Sequence, residues 1–139
     1  MPFSRYDPSG TLLEDYRKAR ISLVVVLAEE QEIWQATGID IRMAYKAQKL
    51  EVIYFPIRDY DVPEPRALEQ LLDRIIAQAT SGRNLVIHCY AGLGRTGLVA
   101  ACLAKRVMNL SGERAIQWVR AVLPGAVESA DQMNFVLKV

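Results

Sequence analysis

A strand-forming run, a cluster of glycines and an apolar helix follow one another without a break between residues 84 and 108, and this succession constrains the fold most. Asn84 to His88 (NLVIH) reads as a buried strand. Cys89 to Gly97 reads as a glycine-rich turn, with Gly92, Gly94 and Gly97 inside it. Leu98 to Met108 is apolar almost all round, the pattern of a buried central helix. Ligands of α/β sheets bind beyond the carboxyl ends of the strands, and Cys89 stands at such an end.

The remaining segments continue the alternation. Ile21 to Leu27 (ISLVVVL) and Leu50 to Phe55 (LEVIYF) read as strands, the second stopped by Pro56. Short helices are expected over Ala28 to Ala36 and about Asp40 to Gln48. Arg58 to Pro65 is too rich in proline and aspartate for regular structure. Leu68, Leu71, Leu72, Ile75 and Ile76 mark one face of a helix over Pro65 to Ala79. Ser111 opens another helix with Ile116, Val119 and Val122 inward, and Ser129 to Leu137 forms the last. The expectation is an α/β fold: one domain over residues 1–139 with a central, mostly parallel sheet flanked by helices.

Charge and cysteine usage bound the function. With 17 Lys+Arg against 16 Asp+Glu the net charge is +1, which argues against nucleic acid as a partner. No window reaches the ~18 apolar residues of a membrane span, and residues 1–10 carry no signal-peptide core. Two cysteines are too few for a disulfide framework, and a single histidine without a C-x-x-C pair makes a metal site a poor expectation. The chain is therefore expected in the cytoplasm, with no cofactor, metal, membrane or nucleic acid in its chemistry. Cys102 lies inside the apolar run of residues 99–103 and reads as core.

What remains distinctive is the loop itself. Arg95 follows Cys89 by six positions, and a helix begins at once. Glycines allow backbone shapes in which successive N–H groups form a nest for an anion. The helix start adds free N–H donors and positive potential, and Arg95 adds a planar fork for two phosphate oxygens. The same potential favours a thiolate, the attacking form of cysteine. A nucleophile beside a phosphate cradle is what phosphoryl transfer to sulfur needs.

His88-Cys89-x-x-Gly92-x-Gly94-Arg95-Thr96-Gly97 resembles, at every fixed position, the signature loop of the cysteine-based protein tyrosine and dual-specificity phosphatases. The wording through Leu103 is similar to that of compact members, of the type of the cyclin-dependent-kinase-inhibitor-associated phosphatase and its prokaryotic relatives. The resemblance implies a phosphate-binding loop formed by Tyr90, Ala91, Gly92, Leu93, Gly94 and Arg95, and a phospho-cysteine at Cys89. It implies a general acid upstream. Asp59, 30 residues ahead of Cys89 in Pro56-Ile57-Arg58-Asp59, matches the family wording, with Asp61 as rival. It implies that the Thr96 hydroxyl eases departure of the cysteine sulfur. Residues 127–132 resemble the segment that positions the hydrolytic water, but Glu128 stands where the wider family has glutamine. Glu128 and Gln132 are therefore both candidates. Ser129-x-x-Gln132 also fits a capping box, a role compatible with the other. His88 points away from the cysteine as its strand neighbour and is expected to support the loop by hydrogen bonding.

The substrate implied is a phosphorylated protein: phosphotyrosine, with phosphoserine and phosphothreonine open. A phosphoinositide or small-molecule phosphatase is the alternative, less favoured because Tyr90, Ala91 and Leu93 leave the variable loop positions uncharged. Position 89 does not fit low-molecular-weight phosphatases or arsenate reductases, whose cysteine lies near the N-terminus. Rhodanese-like proteins lack the Gly-Arg-Thr-Gly ending. A non-catalytic phosphate-binding module would be expected to have lost the cysteine, arginine or acid, and all three are present.

Overall fold

The computed structural model describes residues 1–139. Three strands and seven helices alternate along the chain: α1 (Leu12–Lys18), β1 (Ile21–Val26), α2 (Glu30–Thr37), α3 (Ile41–Ala47), β2 (Glu51–Tyr54), α4 (Pro65–Thr80), β3 (Asn84–His88), α5 (Gly94–Met108), α6 (Gly112–Val122) and α7 (Ala130–Lys138). The strands make one parallel sheet in the order β2-β1-β3. Two structural units divide these elements: residues 1–56 with 77–91, and residues 57–76 with 92–139.

The first unit is built around β1. As the middle strand of a parallel sheet it needs apolar residues on both faces, and Leu23 through Ala28 are fully buried. Val26 lies opposite Tyr54 on one side and His88 on the other. The Leu27 N–H donates to the His88 carbonyl at 2.8 Å, so the ladder reaches the residue before Cys89. α2 closes on Gly38 in the left-handed region, and the Asp40 carboxylate caps α3 by accepting the Met43 N–H at 3.0 Å. α1 is absent from the sequence expectations. Its N-cap, Thr11, makes no side-chain cap; the Asp7 carboxylate accepts the Thr11 and Leu12 N–H groups from upstream (3.0 and 3.3 Å). A helix of seven residues capped from outside its own start carries little local signal.

The second unit is helical. Leu68, Leu71, Leu72 and Ile75 form the buried stripe of α4. α5 contacts both α6 and α7. It starts at Gly94, earlier than the glycine pattern suggests, so Arg95, Thr96 and Gly97 belong to its first turn. Gly97 is required there, because a Cβ would lie 2.6 Å from the Val127 backbone nitrogen. Val122 corrects a second expectation. It is the last residue of α6 and is 76% exposed, whereas Ile116 and Val119 are buried. Periodicity marks a face but not how far the packing along it extends. In the first unit β3 ends directly before Cys89, and in the second Arg95 lies in the first turn of α5.

Candidate active site

Cys89 follows β3 as a buried cysteine outside any disulfide, 2% exposed. The residue before it is fixed by hydrogen bonds on both sides of its ring. His88 Nδ1 donates to the Cys89 carbonyl at 2.8 Å, which leaves Nε2 to accept from the Tyr45 hydroxyl at 2.6 Å. The Tyr16 hydroxyl stands next to that of Tyr45 and interacts with it. Burial drives all three groups toward their neutral forms. It raises Tyr45 far above its ordinary value, raises Tyr16 to about 12 and lowers His88 to about 4. His88 thus holds the carbonyl of the cysteine peptide.

This burial has a stability consequence. Between the ordinary histidine value of 6.5 and about 4, the unfolded chain binds a proton that the native imidazole refuses. Stability is therefore complete above pH 6.5 and falls as pH drops through that window, by up to about 3 kcal/mol. Urea unfolding at pH 7 and pH 5, for the wild-type chain and a His88→Asn variant, measures it. The wild type should lose stability relative to the variant as pH falls, and parallel losses would contradict the assignment.

From Cys89 the chain runs through Tyr90, Ala91, Gly92 and Leu93 into α5. Gly92 has φ 95°, a conformation that other residues adopt only under strain. The Leu93 carbonyl accepts the Gly97 N–H at 3.0 Å and so begins the helix. Thr96 lies half-buried in the first turn.

Arg95 is 2% exposed and its fork meets the segment before α4. One terminal nitrogen donates to the Ile57 carbonyl at 3.0 Å, and the other pairs with the Asp59 carboxylate at 3.1 Å. Asp59 itself remains more than half exposed (58%). The rival Asp61 is turned differently: its carboxylate accepts the Val62 N–H at 2.8 Å, within its own loop. Of the two aspartates, the geometry brings Asp59 to the loop arginine.

The start of α7 braces the same loop. Ser129 and Gln132 form the expected capping box. Ser129 Oγ also donates to the Tyr60 carbonyl at 3.0 Å, and Gln132 Nε2 to the Asp61 carbonyl at 3.4 Å. Gln132 is 1% exposed, and its Oε1 accepts the Glu128 and Ser129 N–H groups at 3.0 and 3.2 Å. Its amide is thus engaged by backbone on both ends. Glu128 is exposed, and its carboxylate comes close to Gly94: a Cβ there would lie 3.2 Å from Oε2. Before Glu128, Val127 adopts φ 58°, an unusual conformation for a β-branched residue. Arg120 holds this turn by donating to the Ala126 and Val127 carbonyls at 2.9 and 3.0 Å.

Sequence reasoning missed Ile57, Tyr45, Tyr16 and Arg120. Ile57 acts through its backbone, which has no residue signature. Tyr45 and His88 are 43 positions apart, with no motif to link them.

A parallel α/β sheet whose strand delivers a cysteine into a Cys-x5-Arg loop defines the phosphatase class to which the comparisons assign it. Residues 4–107 match the family described as "Polymorphic toxin system, DSP-PTPase phosphatase". The chain belongs to the dual-specificity and tyrosine phosphatase family. Among similar proteins, an uncharacterized protein of Methanocaldococcus jannaschii is 36% identical over 121 residues, covering 86% of this chain and 76% of the relative. Cyclin-dependent kinase inhibitor 3 of Homo sapiens is 33% identical over 125 residues, covering 88% of this chain. The chain spans 59% of that human protein's length. Among solved structures, Tk-PTP in its active form superposes with a TM-score of 0.82 at 33% identity, covering 99% of this chain and 85% of its own. Kinase associated phosphatase, with its catalytic cysteine replaced by serine, gives 0.87 at 23% identity over 98% of this chain and 80% of its own, a likeness of fold.

Proposed function

We propose that residues 1–139 act as one protein phosphatase domain, hydrolysing phosphotyrosine, with phosphoserine and phosphothreonine open, through a phospho-cysteine at Cys89. The observation that carries this reading is the pairing of Arg95 with Asp59, which puts the loop arginine and the upstream carboxyl group at one place. The backbone N–H groups of residues 90–95 and the Arg95 fork bind the phosphoryl oxygens. The Cys89 thiolate attacks phosphorus; the S–P bond forms as the bond to the leaving oxygen breaks. Asp59, entering the step protonated, gives its proton to that oxygen. A phosphoryl group on Arg95 competes with Asp59 for the one guanidinium nitrogen that Asp59 holds, so binding releases the carboxyl group toward the leaving group.

In the second step water attacks phosphorus, Asp59 takes its proton, and the S–P bond breaks to return the thiolate. The Thr96 hydroxyl assists that departure. Glu128, near Gly94 and exposed, is the better candidate to orient the water; Gln132 is engaged in bracing the acid loop. A cysteine nucleophile outside any disulfide calls for a reducing compartment such as the cytoplasm.

A phosphoinositide is the second reading. A structure of PTPMT1 in complex with PI(5)P shares the fold, with a TM-score of 0.75 at 18% identity. The uncharged loop positions Tyr90, Ala91 and Leu93 favour the protein substrate. The test is the rate on phosphotyrosine and phosphothreonine peptides and on an inositol phosphate, for the wild type and Asp59→Asn. Peptide turnover that falls by about 10²–10⁴-fold in the variant is expected. Turnover of the inositol phosphate alone would overturn the protein-phosphatase reading, and unchanged peptide rates in the variant would remove Asp59 as the acid.

A further inference from the structure

An exposed tryptophan stands on α2, and neither the core nor the mechanism above uses it. The residue that α2 buries is Ile33; Trp34, next to it, is 58% exposed. Together with Glu30, Gln31, Ile39, Asp40 and Ile41 it lines a groove of about 280 Å³. The backbone around this groove is held in place. The Tyr54 hydroxyl accepts the Glu30 N–H at 3.0 Å and ties down the start of α2. At the other end Gly38, with φ 69°, donates its N–H to the Trp34 carbonyl at 2.7 Å, and Thr37 Oγ1 accepts the Ile39 N–H at 3.2 Å. A groove built on fixed backbone loses little freedom when it is filled.

Its charge is one-sided. Residues 21–41 contain Glu29, Glu30, Glu32 and Asp40 and no lysine or arginine. The next cation along the chain, Arg42, pairs with Glu30 and lies over the Tyr54 ring, 4.2 Å from its centroid. It offsets Glu30 and leaves the Asp40 charge unbalanced beside the indole. An aromatic face next to a carboxylate complements a guanidinium or ammonium group. The groove also belongs to the catalytic edge of its unit. α2 follows the carboxyl end of β1, and β3, the neighbouring strand, ends directly before Cys89. Neighbouring strands are about 4.8 Å apart, and Trp34 follows Glu30 by one helical turn, about 6 Å along the axis. A peptide whose phosphate lies at Cys89 therefore has its flank within reach of Trp34.

We propose that this groove receives a basic side chain, arginine or lysine, that flanks the phosphorylated residue of the substrate protein; the inference rests on the phosphatase reading. The cation stacks on Trp34 with its charge toward Asp40, and its aliphatic stem lies along Ile39. The groove thus reads the sequence around the phosphorylated residue, which the phosphate loop does not touch.

The test measures kcat/KM on phosphotyrosine peptides in which one arginine is moved stepwise along the flank, and on the same peptides with glutamine in its place. The aryl phosphate p-nitrophenyl phosphate serves as a substrate without a flank. Wild type, Trp34→Ala and Asp40→Asn are compared; asparagine keeps the cap of α3. At its best position arginine should raise kcat/KM about tenfold over glutamine, through KM rather than kcat. That advantage should vanish in Trp34→Ala and shrink in Asp40→Asn, while both variants turn over p-nitrophenyl phosphate as the wild type does. No preference for arginine at any position, or a preference that both variants keep, would overturn the proposal. Equal losses on peptides and p-nitrophenyl phosphate would also overturn it and leave Trp34 a structural residue. A wild-type chain that hydrolyses none of these substrates would instead overturn the phosphatase reading, and this inference with it.

Discussion

Cys89→Ser is expected to reduce hydrolysis to the level of the uncatalysed background, a loss of about 10⁵–10⁶-fold, while phosphopeptide binding survives. The reason lies in what the substitution spares. Oxygen replaces sulfur at a 2% exposed position, a change small enough to leave β3, Gly92 and the start of α5 in place. The backbone donors and Arg95 therefore still meet a phosphate. A serine hydroxyl, however, does not ionise near neutral pH. His88 does not activate it as a base, since it gives its Nδ1 proton to the Cys89 carbonyl and accepts from Tyr45 at Nε2. Two measurements check this: steady-state hydrolysis, and calorimetric titration of the variant with phosphotyrosine peptide. Turnover that persists in a preparation free of wild-type protein would overturn the phospho-cysteine mechanism. Loss of binding as well as turnover would mean that Cys89 is part of the cradle's structure.

Arg95→Lys is expected to lose about 10²–10³-fold in kcat/KM although the charge is kept. The two terminal nitrogens of Arg95 reach different acceptors at the same time, the Ile57 carbonyl and the Asp59 carboxylate. One ammonium cannot reproduce that fork, nor the two parallel hydrogen bonds that a guanidinium makes to a phosphoryl group. The loss therefore has two sources, weaker binding of the transition state and displacement of the segment that carries Asp59. A double-mutant cycle with Asp59→Asn exposes the second. Because the residues touch, the combined variant should lose less than the sum of the two single effects in free-energy terms. Additive losses would mean that the contact has no part in the reaction, and a lysine variant with full activity would mean that a point charge is enough.

Much of this arrangement can be read from residues in sequence order. β3 falls on Asn84–His88 as the β-branched run requires, and Ser129 with Gln132 forms the capping box that their spacing announces. Both signals are local, with cause and effect a few residues apart. The failures are of another kind. α1 starts on a carboxylate from outside the helix, so neither its N-cap nor its length betrays it. Val122 keeps the inward phase of α6 but lies at its last residue, where it is exposed. Asp59 was reachable only through family resemblance, because spacing alone does not separate it from Asp61. The structure adds what no local pattern carries: Arg95 faces one of the two.

The brace between α7 and the segment that carries Asp59 joins residues far apart in the chain. Ser129 reaches the Tyr60 carbonyl across 69 positions, and Gln132 reaches that of Asp61 across 71. The cysteine, the glycines and the arginine are all made well before Ser129 leaves the ribosome. A nascent chain therefore lacks full support for both the start of α5 and the segment bearing Asp59 until residues 126–132 are made: Gly97 lies against Ala126 and Val127, Gly94 against Gln132, and Tyr60 and Asp61 are held by Ser129 and Gln132. Fraying of α7 loosens the two together.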